Sequence, residues 1–149
     1  MKKKNIFLCA LLGVVAMFNV ACGDDDDIKP TDVPEAVMTA FQDMYPGAVA
    51  EWEKVAGGLL KAEFLYDAHE KDAWFEQNGT WVKTITEIAT SELPQAIRDY
   101  ISTTYPTGQI EDSDFVETLT ENTYVVEVDR ENESDLYLNF TESGELVTP

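Results

Sequence analysis

The sequence predicts an α+β fold: two α-β-β-β-β repeats forming one antiparallel sheet, with both helices packed on one face. Three observations carry this. Matched apolar segments recur at a constant offset of 60 residues. Each copy opens with an apolar stripe at helical spacing. Each then continues as short alternating stretches bounded by turn residues.

The duplication is read from Val33-Pro34-Glu35-Ala36-Val37 against Leu93-Pro94-Gln95-Ala96-Ile97. It continues with Phe41 against Ile101, Tyr45 against Tyr105 and Pro46 against Pro106. In the first copy Val33, Ala36, Val37, Ala40, Phe41, Met44 and Tyr45 fall at steps of three and four. Leu93, Ala96, Ile97, Tyr100, Ile101, Thr104 and Tyr105 repeat the stripe. Asp32 and Ser91 or Glu92 stand where side chains cap helix N-termini, and Pro46 and Pro106 end the helices.

The strands follow in order. In the first copy they are expected at Val49–Ala56, Leu59–Asp67, Asp72–Gln77 and Thr80–Ile88, with turns at Gly57-Gly58, Ala68–Lys71 and Asn78-Gly79. In the second they are expected at Gln109–Leu119, Thr123–Arg130, Asp135–Thr141 and Glu145–Thr148. Phe75 then matches Phe140, and Gly79 matches Gly144. Strand parity turns Phe64, Tyr66, Phe75, Tyr124, Val126, Val128, Leu138 and Phe140 towards the helices. Trp74, Tyr137, Leu65 and Val125 take the opposite parity. Trp52 and Trp81 have no register assignable from sequence.

The N-terminus carries an export pattern. Lys2, Lys3 and Lys4 precede an apolar run, Ile6 to Phe18, too short to span a bilayer. Asn19-Val20-Ala21-Cys22 resembles a bacterial lipobox, with Asn19 where an aliphatic residue is usual, and Cys22 would take the lipid. The run Asp24 to Asp27 is expected to form a solvated, disordered tether, and it resembles the surface-export signal of some Gram-negative lipoproteins. The expected organisation is a signal peptide at 1–21, an acidic tether at 22–31, and repeats at 32–90 and 91–149. The only other cysteine, Cys9, leaves with the signal, so no disulfide is expected. The whole chain has a net charge of −19; loss of residues 1–21 leaves seven basic against 29 acidic residues, a net of −22. Such a surface repels nucleic acid and anionic headgroups, so membrane contact is expected through the anchor only.

Leu93-Pro94-x-Ala96-Ile97, Tyr105-Pro106 and Phe140-Thr141-Glu142-Ser143-Gly144 resemble the PepSY-like family. Two tandem copies look like the beta-lactamase-inhibitor-like group of secreted bacterial proteins. The resemblance spans about residues 33–148 and implies a non-catalytic protein-binding module.

Catalysis finds no constellation in the sequence. His69 is the only histidine, next to Glu70 in an expected loop, and there is no phosphate loop or cluster of transition-metal ligands. Calcium is the chemical alternative. Asp129, Glu131, Glu133 and Asp135 alternate across one turn, and Asp112 and Asp114 form a second acidic pair, but an EF-hand's glycine and distal glutamate are missing.

The expected function is therefore a non-catalytic lipoprotein, anchored to the outer membrane and facing the periplasm or the outside. It would bind an unidentified envelope or secreted protein through the open sheet face, at Trp74, Tyr137, Leu65 and Val125, without a cofactor. A calcium-binding acidic envelope protein is second, and a hydrolase third. On the first reading the melting temperature does not change when millimolar calcium is exchanged for chelator. A rise of several degrees with calcium, measured by calorimetry, would favour the second.

Overall fold

A computed structural model describes residues 26–131 and 133–147. The expectations for the signal peptide, for Cys22 and for Asp24 and Asp25 of the tether fall outside the described residues. The described chain forms one eight-stranded antiparallel sheet in which each strand pairs with the next. The strands are β1 (Asp26–Ile28), β2 (Ala50–Val55), β3 (Leu59–Tyr66), β4 (His69–Phe75), β5 (Trp81–Glu87), β6 (Gln109–Thr118), β7 (Asn122–Asp129) and β8 (Leu136–Thr141). Helix α1 (Glu35–Met44) lies between β1 and β2, and helix α2 (Gln95–Thr104) between β5 and β6.

The α+β class and the single sheet agree with the sequence pattern, but the strand count per helix differs. Four strands follow α1 and three follow α2. The expected strand Glu145–Thr148 reduces to one bridge, Leu146 opposite Phe140. Glu145 and Val147 on either side are exposed, so further pairing there would bury little. The eighth strand comes instead from the expected tether. Asp26, Asp27 and Ile28 pair with Lys54, Glu53 and Trp52. Strand β2 offers an unpaired edge, and Ile28 adds apolar cover to the cluster beneath α1, so pairing offsets the cost of ordering three residues.

Two local expectations also change. The helices begin directly after Pro34 and Pro94, with no side-chain cap on either. A 3-10 turn precedes each helix, and Glu92 closes the second by accepting the Ala89 N–H at 2.8 Å. Strand β4 starts at His69 rather than Asp72. Asp67 and Ala68 both have positive φ, 51° and 67°, and Tyr66 faces His69 across them. That is a two-residue turn whose twist suits a hairpin, so it needs no longer loop.

Helix α1 lays Val37 and Phe41, with Tyr45 beyond its end, on β2, β3 and β4. Phe41 meets Trp52, Phe64 and Phe75 edge-on, with ring centroids 5.3, 4.9 and 6.4 Å away. Such geometry adds about 0.5–1.5 kcal/mol per pair beyond the area buried. Trp52 is thus a core residue, 3% exposed. Trp81 lies at the margin of the same cluster and donates its indole N–H to Thr84 Oγ1 at 2.9 Å. The Tyr45 hydroxyl meets the same Thr84 oxygen at 2.7 Å, so this fully buried threonine is satisfied on both sides. Helix α2 places Ile97 and Ile101 on Val126, Val128, Leu138 and Phe140.

Each helix is clamped from below by a glycine turn. A Cβ built on Gly79, at φ +91°, would stand 2.6 Å from the carbonyl oxygen of Ala36; one on Gly144, at φ +85°, would stand 2.8 Å from Ala96 Cβ. Ala36 and Ala96 are partners in the 60-residue offset, so both hairpins press against the same helical position. Gly79→Ala should cost about 2–4 kcal/mol, from left-handed backbone strain plus a clash with rigid backbone. Gly47→Ala, at φ +81° with nothing within 4 Å, should cost only about 1 kcal/mol. Urea unfolding of the two variants checks the difference.

Candidate functional site

Direct pairing of β5 with β6 carries one parity across the sheet. Ala62, Ala73, Thr84 and Glu117 stand in one cross-strand row on the helix side. The side chains one residue along all point the other way. No helix of the described residues covers that second face. It carries Leu65, Trp74, Val125 and Tyr137, as parity predicts.

These four do not form one patch. Trp74 sits in a row with Glu53, Lys61 and Lys83. Leu65 and Val125 lie in the next row but one, with Glu70, Glu87 and Asp114 between them. Tyr137 stands opposite Glu127, beside Asp112. Trp74 on β4 and Tyr137 on β8 are four strand spacings apart, about 19 Å across the sheet, and three rows apart along it. Leu65 and Tyr137 are the most exposed, at 66% and 52%. Trp74 and Val125 are half-buried among their neighbours.

The face divides by charge. On the half below α1, Lys61 Nζ lies 2.9 Å from Glu53 Oε2 and 2.5 Å from Glu63 Oε1. Burial alone would lower the Lys61 pKa. The bonds to Glu63 and Glu53, with the field of Asp72, outweigh it and raise the pKa above its ordinary value. Lys83 holds its ammonium 4.1 Å above the Trp74 ring. Burial lowers its pKa, and nearby Asp72 offsets part of that. Asp72 is itself pushed up to about 6, chiefly by burial. The pull of Lys61 is countered by repulsion from Glu63 and Glu53, and Lys83 adds a smaller attraction.

Among the described residues, the other half carries carboxylates without such counter-ions. Asp114 is among the buried polar residues, 9% exposed, and its pKa is pushed up to about 7, first by burial and then by Asp112, Glu87, Asp72 and Glu127. Glu87 is raised as well, by burial, Asp112 and Glu70. The Tyr137 hydroxyl donates to Glu127 Oε1 at 2.7 Å, which raises the tyrosine's pKa.

The acidic turn after β7 does not bring its alternating residues together. Arg130 takes Glu133 at 2.6 Å and the Ser134 carbonyl at 2.8 Å. Asp129 ends β7 and Glu131 is exposed in the turn. Asp135 alone joins another group: its carboxylate lies within 4.8 Å of those of Glu111 and Glu127. That triad depends on a bulge between Ile110 and Asp112, which no sequence period reveals.

His69 lies at the start of a strand, not in a loop. Its Nδ1 faces the Asp67 carbonyl and its Nε2 faces Glu92 Oε1, both at 2.9 Å. The second partner is therefore Glu92, from the segment before α2, and not the adjacent Glu70. Glu92 has its pKa lowered by the Ala89 N–H first and then by His69. An open cleft of about 350 Å³ lies here, lined by His69, Glu70, Glu87 and Glu92 among others. The histidine is held from both sides by acceptors and ties the first hairpin to the second half.

Sequence reasoning recognised Asp112 and Asp114 as an acidic pair but not the burial of Asp114. The neighbours that enclose it, Glu87 and Val125, are distant in sequence and become adjacent only through register.

The fold is thus an antiparallel sheet covered by helices on one face, with a charged and aromatic opposite face. Residues 60–148 match the family described as "Putative beta-lactamase-inhibitor-like, PepSY-like", and the chain belongs to that family. Among solved structures it is similar to a BLIP-like protein from Bacteroides fragilis, 29% identical with a TM-score of 0.68, over 77% of this chain and 84% of that one. A DUF2874 family protein from Bacteroides uniformis is 25% identical, with a TM-score of 0.71, over 77% and 86%. A periplasmic protein from Bacteroides eggerthii, 21% identical with a TM-score of 0.71 over 78% and 86%, shares the fold. No curated protein matches the chain.

The buried acids give a pH dependence. Asp114 and Asp72 have folded-state pKa values near 7 and 6, above the ordinary 3.8. The folded chain therefore holds more protons than the unfolded one between about pH 4 and 7, and stability falls as pH rises through that window. Asp114→Asn removes its share. It should raise the melting temperature by several degrees near pH 8 and by little near pH 4, as thermal unfolding at the two pH values would show.

Proposed function

We propose that this chain is a non-catalytic cell-envelope lipoprotein that binds a protein or peptide through the open face of its sheet. The observation that carries the reading is the one-sided cover of the eight strands. Leu65, Trp74, Val125 and Tyr137 share the side opposite α1 and α2, where Leu65 and Tyr137 are exposed and Trp74 is half-buried. The family description and the BLIP-like character of the Bacteroides fragilis relative support an inhibitor-like module. The basic n-region, short apolar run and Ala21-Cys22 junction support export and lipid anchoring at Cys22, and the description of the Bacteroides eggerthii protein as periplasmic agrees with an envelope location.

The partner is expected to span both halves of the face, because Trp74 and Tyr137 are separated by four strand spacings. Trp74→Ala with Tyr137→Ala should remove most of the binding, roughly 30-fold or more if both are anchors. The test is proximity labelling in intact cells expressing the native chain, with and without calcium, followed by affinity measurement on the dominant partner. Unchanged capture by the folded double variant would place the binding surface elsewhere. Capture only with calcium would shift the reading to the acidic alternative, for which the Glu111, Glu127 and Asp135 triad is the best-formed carboxylate group among the described residues.

A further inference from the structure

Asp114 is the most buried carboxylate on the open face among the described residues. Its strand neighbours there are Glu87 on β5 and Val125 on β7, with Asp112 and Val116 before and after it on β6. It is 9% exposed, and among the described residues its side chain has no hydrogen bond or ion pair. Burying an ionised carboxylate without donors is costly, and a fold does not need it when asparagine or valine would fill the space.

The surroundings add to the cost. Glu70, Glu87 and Asp114 form one row from β4 to β6, and Asp112 and Glu127 stand across from each other in the next. None of the described lysines or arginines lies in these rows. Lys61 and Lys83 are on the other half of the face and are engaged with Glu53, Glu63 and the Trp74 ring. Lys71 points to the helix side and donates to Thr86, and Arg130 is held by Glu133 and Ser134.

We infer that this acidic band takes a basic segment of the protein partner, with an arginine or lysine side chain seated against Asp114 and flanked by Glu87, Asp112 and Glu127. The inference rests on the proposed use of the open face and names the chemistry of its occupant. Charge complementarity selects a cation. The spread of the carboxylates along two rows selects a chain carrying several positive charges over a single ion. The convergent carboxylates, Glu111, Glu127 and Asp135, do not include Asp114. An arginine can donate to Asp114 and Glu87 together, which supplies the missing hydrogen bonds.

The raised pKa of Asp114 fits this picture. The groups that raise it from the same face are Asp112 on its own strand, Glu87 on β5, Asp72 on β4 and Glu127 on β7. A seated cation opposes that repulsion and favours the ionised carboxylate, so binding strengthens as pH rises across neutrality.

The test is a titration of a fluorescently labelled hexa-arginine peptide with the full chain at fixed ionic strength, followed by anisotropy. Asp114→Asn should weaken binding by at least about tenfold. Glu35→Gln, the same charge change on exposed α1, should weaken it less than about twofold. Glu87→Gln should give a smaller loss than Asp114→Asn and serves if that variant fails to fold. Equal losses for Asp114→Asn and Glu35→Gln, or no measurable binding, would overturn the inference. So would millimolar calcium that displaces the peptide while raising the melting temperature of the native chain but not of Asp114→Asn, since the band would then be an ion site. Once the cellular partner is in hand, loss of its binding in the Trp74 and Tyr137 variant with full retention in Asp114→Asn would refute the basic-segment inference alone and leave the open-face reading standing. Retention in both would refute both.

Discussion

The pairing of β5 with β6 is the contact on which the rest of the architecture depends. It joins the strands that follow α1 to the strands that follow α2 in a single hydrogen-bonded sheet. Because side chains alternate along a strand, a shift of one residue in that pairing would move every inward side chain of one half to the other face. The observed register keeps Thr84 and Thr86 on the same side as Phe115 and Glu117, so α1 and α2 pack on a common face. Among the described residues, no helix covers the opposite face.

That asymmetry gives the two faces different physics. The helix side is an apolar core in two parts, aromatic beneath α1 and largely aliphatic beneath α2. Tyr45, Trp81 and Thr84 satisfy one another there, while the buried hydroxyl of Ser113 has no partner among the described residues. The open side has a small apolar centre, Ile85 and Val116, surrounded by charge. On one half the carboxylates share Lys61 and Lys83. On the other, Asp114 is buried among its own kind. Stability and binding therefore pull against each other at Asp114: the charge that weakens the folded state is the one that would hold a cation.

The fold was legible in the sequence to the extent that it rests on local periodicity. The stripe around Phe41 and Ile101, the prolines after Tyr45 and Tyr105, and the hairpin at Asn78-Gly79 all follow from spacing and turn chemistry, and each appears near its expected place. The departures have local physical causes. Asp67 and Ala68 make a tight turn with residues that seldom take positive φ, so the start of β4 was hidden. Ile28 brings an acidic segment into the sheet because β2 had an edge to offer. Val147 after Leu146 stays exposed, and among the described residues the last expected strand is one bridge.

What the amino-acid order determined by itself was the class of fold, the inward and outward parity of the strands other than those of Trp52 and Trp81, and hence the side on which Trp74, Tyr137, Leu65 and Val125 stand. Alternation is a property of the single strand and needs no partner to define it. What only the tertiary structure decided was which residues are neighbours across strands. Glu70, Glu87 and Asp114 become a row, and Glu111, Glu127 and Asp135 a triad, through hydrogen-bond register and one bulge. Register depends on the packing of the whole sheet against both helices. The burial of Asp114, and with it the most distinctive chemistry of the open face, is for that reason a property of the assembled sheet alone.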